Sequence, residues 1–203
     1  MMYQSNREFN QQYAVGAIIE ELVALWYVRL GYTAILSSSI GKPGGRSPRM
    51  ITPSLFPNKW YNIPDILLYS GKFDRSSDIL WVEVKRKSEG FTYNHSKRKR
   101  VEVGMNLSAF RNYENIVNHE PYIRLEVAFF IDPATTKNGY TTTIEEAGLY
   151  YATLSILQSD YAIDDKSDLV FFPKKNLTKI ASHKDLLTIK SGGDDRLESK
   201  DEW

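Results

Sequence analysis

The chain has 203 residues, 42% hydrophobic and 25% charged, the proportions of one folded domain able to bury a core without covalent staples. It contains no cysteine, which excludes a disulfide framework, a thiolate metal site and a cysteine nucleophile. Its net charge of +1 argues against coating nucleic acid by bulk electrostatics. No apolar run reaches the ~20 residues of a membrane-spanning helix, and the polar opening MMYQSNREFNQQY carries no signal core. A cytoplasmic protein without a membrane partner is therefore the expectation.

Residues 13–30 read as a helix, with Val15, Ile18, Ile19, Leu22, Leu25, Trp26, Arg29 and Leu30 at spacings of three and four and Gly31 as the stop. Tyr32 to Leu36 reads as a strand. From Gly41 to Asn62, three glycines and four prolines disfavour any long regular element. A loop of that length is often functional, and it carries Lys42, Arg46, Arg49 and Lys59. Ile63 to Tyr69 and Ile79 to Lys85 read as antiparallel neighbouring strands. Met105 to Asn118 reads as a helix with Leu107, Phe110, Ile116 and Val117 on its apolar face, and Ile123 to Ile131 as a further strand. Leu149 to Leu157 is apolar and β-rich at its start, and Leu169 to Phe172 is a short strand ended by Pro173. Residues 1–190 are expected to form a single α/β domain with a mixed sheet, and 191–203 a disordered acidic tail.

Chemistry concentrates between Ile63 and Lys85. Pro64-Asp65 heads one strand, and Glu83-Val84-Lys85 lies inside the next. Alternate strand residues share a face, so Trp81, Glu83 and Lys85 point one way and Leu80, Val82 and Val84 the other. A carboxylate and an ammonium inside so apolar a strand need partners; a hard divalent cation, Asp65 and a phosphate would supply them. Glu-x-Lys alone means nothing, since chance gives roughly one per chain of this length and a second copy stands at Glu198-Ser199-Lys200. Pro-Asp alone reads as a turn into a strand. The pairing carries weight because the chain's only Pro-Asp begins one strand and Glu-x-Lys sits in its neighbour.

These residues resemble the motif of the PD-(D/E)xK nuclease superfamily, which includes restriction enzymes, archaeal-type Holliday-junction resolvases and phage-recombination exonucleases. The resemblance spans roughly residues 13–132 and implies a restriction-endonuclease-like core: an α/β fold with a mixed central sheet flanked by helices, in the order αβββαβ. The opening helix is similar to that of the resolvase branch, where a glutamate lies eleven residues before the terminating glycine; counting back from Gly31 gives Glu20, not Glu21. Some exonuclease branches place a glutamine and then a tyrosine on the helix after the lysine. Here that helix, Met105 to Tyr113, has no glutamine, a departure from the helicase-associated exonucleases.

The resemblance implies that Asp65 and Glu83 ligate Mg²⁺, with Mn²⁺ as a substitute and the Val84 carbonyl as a third protein oxygen. It further implies that Lys85 orients a water or offsets charge on the phosphate, and that Glu20 holds a second ion or a water. The implied function is a metal-dependent nuclease acting on DNA, with a homodimer left open. The alternatives are a catalytically silent nucleic-acid-binding or scaffold module, and an RNA-directed effector nuclease.

Seven Lys/Arg residues and one acid, Glu89, occupy Lys85 to Arg100. Arg86, Lys87, Lys97, Arg98, Lys99 and Arg100 are candidates to contact a nucleic-acid backbone, as are Lys42, Arg46 and Arg49 in the glycine-proline loop; a solvated loop is the plain alternative. That loop lacks the Gly-Lys-Ser/Thr ending of a phosphate-binding NTPase loop. His95, His119 and His183 show no ligand spacing, and no Gly-x-Ser-x-Gly elbow is present.

Overall fold

A computed structural model describes residues 6–37, 49–50, 61–70, 79–120, 123–136, 139–164 and 166–190. Helix α1 (Asn6–Arg29) leads through Gly31 (φ +93°) into β1 (Tyr32–Leu36). The helix begins seven residues before its expected start. Between Asn6 and Ala14 there is no glycine, proline or β-branched residue, so the helix propagates beyond its apolar stripe. Two short strands, β2 (Arg49–Met50) and β3 (Tyr61–Asn62), pair with each other. The strands β4 (Ile66–Ser70) and β5 (Ile79–Lys87) follow, then β6 (Thr92–Tyr93) and β7 (Val101–Asn106). Helix α2 (Leu107–His119) and β8 (Arg124–Ile131) complete the αβββαβ order. Beyond it lie β9 (Gly148–Thr153), α3 (Leu154–Ser159), β10 (Ala162–Asp164), β11 (Leu169–Pro173), β12 (Thr178–Ser182) and α4 (His183–Lys190).

Six strands form a mixed sheet in the order β1-β4-β5-β8-β9-β12, in which β5 and β8 run parallel and every other pair is antiparallel. A second sheet, β10-β11-β7-β6, packs beside it. Parallel neighbours require a long crossover, supplied here by β6, β7 and α2. The central pair is covered on both faces, which accounts for the nearly continuous apolar run in β8. On one face, Ile19, Val23 and Tyr27 of α1 and Leu186 of α4 pack on Ile66, Leu68, Val82, Val84, Ala128 and Phe130. On the other, Phe110, Tyr113 and Ile116 of α2 and Phe172 of the second sheet pack on Trp81, Leu125, Val127 and Phe129. Ile18, Leu25 and Leu30, counted above in the apolar periodicity of the first helix, are exposed instead, because α1 turns only one stripe to the sheet.

Met105 and Asn106 correct the expected start of the second helix. They end β7, and Asn106 caps α2, its Oδ1 accepting the N–H groups of Ser108 (2.9 Å) and Ala109 (3.2 Å). Strand β7 alternates Val101, Val103 and Met105 with Glu102 and Gly104, but Glu and Gly are both disfavoured in strands and its end at Met105 and Asn106 merges with the helical pattern that follows. Glu102 and Gly104 are both locally required: Glu102 is fully buried, and a Cβ on Gly104 would lie 2.7 Å from the Phe171 ring. Among the described residues no helix is long and apolar enough to cross a membrane.

Phe110 is fully buried between the rings of Tyr161 and Phe172. Phe110→Ala should destabilise the protein by about 3–5 kcal/mol, whereas Ile144→Ala, at a side chain 71% exposed, should change stability by less than about 0.5 kcal/mol. Chemical denaturation of the two variants checks both.

Candidate functional site

The register of β4 on β5 pairs Ile66 with Val82 and Leu67 with Trp81. Continued by one residue, it sets Asp65 opposite Glu83. Buried Pro64 and a bend at Asp65 precede β4, and the Asp65 carbonyl accepts the Ser37 N–H at 2.8 Å, tying this point to the end of β1. The Asp65 side chain turns to β5, where its Oδ2 accepts the Val84 N–H at 2.8 Å. Two carboxyl groups from adjacent strands thus converge at the middle of the central sheet.

Glu83 is 4% exposed. Its carboxylate is paired with the Lys85 ammonium two residues on, on the same face of β5. Burial opposes the charge on Lys85, but Glu83, Asp65 and Glu20 outweigh it and raise the lysine above its ordinary value, so Lys85 is a cation at neutral pH. Asp65 is pushed the other way in charge: burial first, then the neighbouring Glu83, hold its carboxyl well above the usual carboxylate range, with Glu20 adding to the effect and Lys85 opposing it. Glu20 therefore lies within electrostatic reach of both Asp65 and Lys85, while Glu21 is exposed.

Tyr113 belongs to this site and was not anticipated. It sits on α2 between Phe110 and Ile116, buried, with its hydroxyl hydrogen-bonded to Glu83. Burial, followed by the charge of Glu83, that hydrogen bond and the charge of Asp65, raises the phenol far above its ordinary value and keeps it a donor. Its spacing of three from both Phe110 and Ile116 is the signal that could have found it; it reads as one more apolar-face residue until Glu83 is known to lie opposite.

The donor set consists of oxygens only, buried and crowded enough to disfavour the charged form of Asp65, which is the chemistry a hard divalent cation relieves. In position, no group of three or more His, Asp or Glu residues able to hold a metal ion is formed among the described residues. The fit therefore rests on Asp65 and Glu83 and not on a three-carboxylate cluster with Glu20.

The basic segment divides. Arg86 faces away from Glu83 and pairs with Asp132, 2.8 Å from both its Nε and its Nη2. Lys87 shares the face of Glu83 and Lys85; burial and the charge of Lys85 lower it to about 8. The run Lys97 to Arg100 forms the turn between β6 and β7, where Asn94, Lys97 and Lys99 adopt positive φ and the Asn94 Oδ1 accepts the Lys99 N–H at 2.6 Å. Arg100 pairs with Glu102 and Asp160, each at 2.7 Å. Arg98 reaches Asp160 at 3.5 Å. Of the four residues expected to face a backbone, Lys97 and Lys99 are exposed and have no ion pair among the described residues. Lys42 and Arg46 lie outside the described residues. Arg49 is described only through the pairing of β2 with β3.

No protein-family model matches the chain, and no curated protein matches it. Among solved structures, the Holliday junction resolvase of Archaeoglobus fulgidus, an archaeal hyperthermophile, aligns over 79% of this chain and 90% of its own, at 12% sequence identity and a TM-score of 0.43.

Two outcomes follow from this geometry. A carboxyl raised on folding binds more protons folded than unfolded, so its contribution to stability falls as pH rises from the ordinary carboxylate value through the raised one. Without divalent cations, Asp65→Asn, which keeps an oxygen for the Val84 N–H, should be more stable than wild type at pH 7. That advantage should shrink toward pH 4 in denaturation curves. Second, Arg100→Ala leaves the buried Glu102 carboxylate without its cation and should cost about 3–5 kcal/mol, whereas Lys97→Ala with Lys99→Ala should leave stability within about 0.5 kcal/mol.

Proposed function

We propose that this protein is a Mg²⁺-dependent nuclease that hydrolyses phosphodiester bonds, with DNA as its substrate. The observation that carries the reading is the convergence of Asp65, Glu83 and Lys85 in the buried centre of the sheet, with Asp65 held by a main-chain N–H and driven toward its neutral form by burial and then by the neighbouring acids. Such a site is costly to fold unless it serves a purpose that needs excess negative charge at one point. The choice of DNA, and of a homodimer as the working form, follows the sequence resemblance to resolvases and restriction enzymes.

Asp65 and Glu83, with the Val84 carbonyl, would hold the cation, which when bound polarises a phosphate and lowers the pKa of a water. Lys85 is raised above its ordinary value, so it acts as a fixed cation and not as a base. It offsets negative charge developing on the scissile phosphate in a site where low dielectric strengthens that contact. Glu83 orients Lys85, and Tyr113, by donating to Glu83, orients the carboxylate in turn. Glu20 modulates the charge on Asp65 and Lys85 from α1.

The test is incubation with labelled duplex, single-stranded and four-way-junction DNA and with RNA, in Mg²⁺, Mn²⁺ or EDTA. Cleavage of DNA should require the cation. Asp65→Asn, Glu83→Gln and Lys85→Ala should each lower it by about a hundredfold or more. Glu20→Gln should cost less, and Glu21→Gln should do little. A protein inert on every substrate, or one whose cleavage survives Asp65→Asn, contradicts the reading; cleavage of RNA alone reassigns the substrate.

A further inference from the structure

At the carboxyl end of β5 the main sheet and the second sheet part around a cavity of about 320 Å³. Strand β5 lines it at Arg86 and Lys87, of which Lys87 shares the face of Glu83 and Lys85, and His95, Gly104, Leu169 and Phe171 line it from the second sheet and the turn before β7. The volume is at the small end of ligand pockets and suits a group of the size of one nucleotide.

The two sides differ in character. His95 lies on Phe171 with ring centroids 4.4 Å apart, and Phe171 is buried against Gly104, whose missing Cβ permits the approach. The rings are tilted by 52°, and with Phe171 buried it is the exposed His95 imidazole, backed by Phe171, that offers a π-face to a base. Opposite it, the positive charges are unequally satisfied. Arg86 is paired with Asp132, and Lys85, deeper along the strand, with Glu83. His95 has Asp164 at 3.8 Å. The Lys87 carbonyl accepts the N–H groups of Gly90 and Asp132, but its ammonium has no hydrogen bond or ion pair among the described residues, and the charge that acts on it is the repulsive one of Lys85. Glu89 also lines the cavity but is exposed and is not among the groups acting on Lys87. A largely buried cation without an anion is unfavourable in the empty protein, and it becomes favourable when an anion enters.

We propose that this cavity is a nucleotide subsite. It takes one phosphate-bearing nucleotide unit of a nucleic-acid strand, the phosphate against Lys87 and the base against the His95 imidazole. The subsite rests on the nuclease reading for the source of the nucleotide, because β5 carries Glu83 and Lys85 on the same face as Lys87 and so leads a strand from one to the other. Phosphate contact fixes the position of the strand, and stacking on one ring tolerates any base.

The test uses the full-length protein in EDTA, titrated by calorimetry or NMR with dAMP, deoxyadenosine, inorganic phosphate and a 5′-phosphorylated single-stranded oligonucleotide. dAMP should bind at least about tenfold tighter than deoxyadenosine or phosphate alone. Lys87→Met, which removes an unpaired buried charge and should fold at least as well as wild type, should weaken both dAMP and the oligonucleotide by about tenfold or more, and Lys87→Arg should restore them. His95→Ala, at an exposed side chain, should weaken dAMP while leaving phosphate unchanged. Equal binding of dAMP and phosphate, or dAMP and oligonucleotide affinities indifferent to Lys87→Met, overturns the subsite. Because no divalent cation is present and no bond is cut, a protein that binds dAMP in this way but cleaves nothing refutes the nuclease and keeps the pocket, and the reverse result does the opposite.

Discussion

A carboxylate at 4% exposure in the middle of the central strand is the constraint around which this fold is arranged. Glu83 sits where β5 has α1 packed on one face and α2 on the other, in a position that would otherwise take valine or isoleucine. An ionised group there is tolerable only if hydrogen bonds and opposite charge replace the water it has lost. The chain supplies Lys85 from the same strand and Tyr113 from α2. It then places a second acid, Asp65, opposite, held by the Val84 N–H. Three elements that are distant in sequence are positioned by this one group.

That arrangement also divides the protein by role. The α1 face of the sheet is mainly apolar packing, where Val82 and Val84 bury against Ile19, Val23 and Tyr27, with the Tyr27 hydroxyl donating to Glu126 at 3.0 Å. The opposite face begins as core at Trp81 and turns polar along β5 through Glu83, Lys85 and Lys87. The strand is thus a gradient from hydrophobic packing to an unpaired cation. Strict side-chain alternation makes it possible, since one strand can hold an apolar face and a charged face over the same residues. A one-residue slip of β5 would turn Lys85 toward α1 and the valines toward the polar site on the α2 side, so the register and the charge arrangement specify each other.

Much of this was legible in the sequence because it depends on periodicity. The strands β1, β4, β5 and β8 and their order with α1 and α2 follow from apolar alternation and from Gly31, and Glu-x-Lys with Pro-Asp marked the two strands on which the acids lie. What was missed depends on tertiary partners. Glu102 and Gly104 look like strand breakers until Arg100, Ser96 and Phe171 are seen to require them. Tyr113 looks like core until Glu83 is seen across from it. Arg100 looks like a free cation in a basic run, yet Glu102 and Asp160 hold it in the turn. Composition counts charges but does not pair them, and pairing separates a structural arginine from an exposed lysine such as Lys97.

The account stands on Asp65 and Glu83 being a site built to receive a cation and not a structural ion pair with Lys85. Thermal unfolding of wild type, Asp65→Asn and Glu83→Gln across a Mg²⁺ titration tests this directly, since a ligand that binds only the folded state stabilises it by mass action. Wild type should melt at progressively higher temperature as Mg²⁺ rises, and both variants should lose that dependence. A wild type whose melting temperature is indifferent to Mg²⁺ and Mn²⁺, with an Asp65→Asn variant less stable than wild type at neutral pH, would contradict the account.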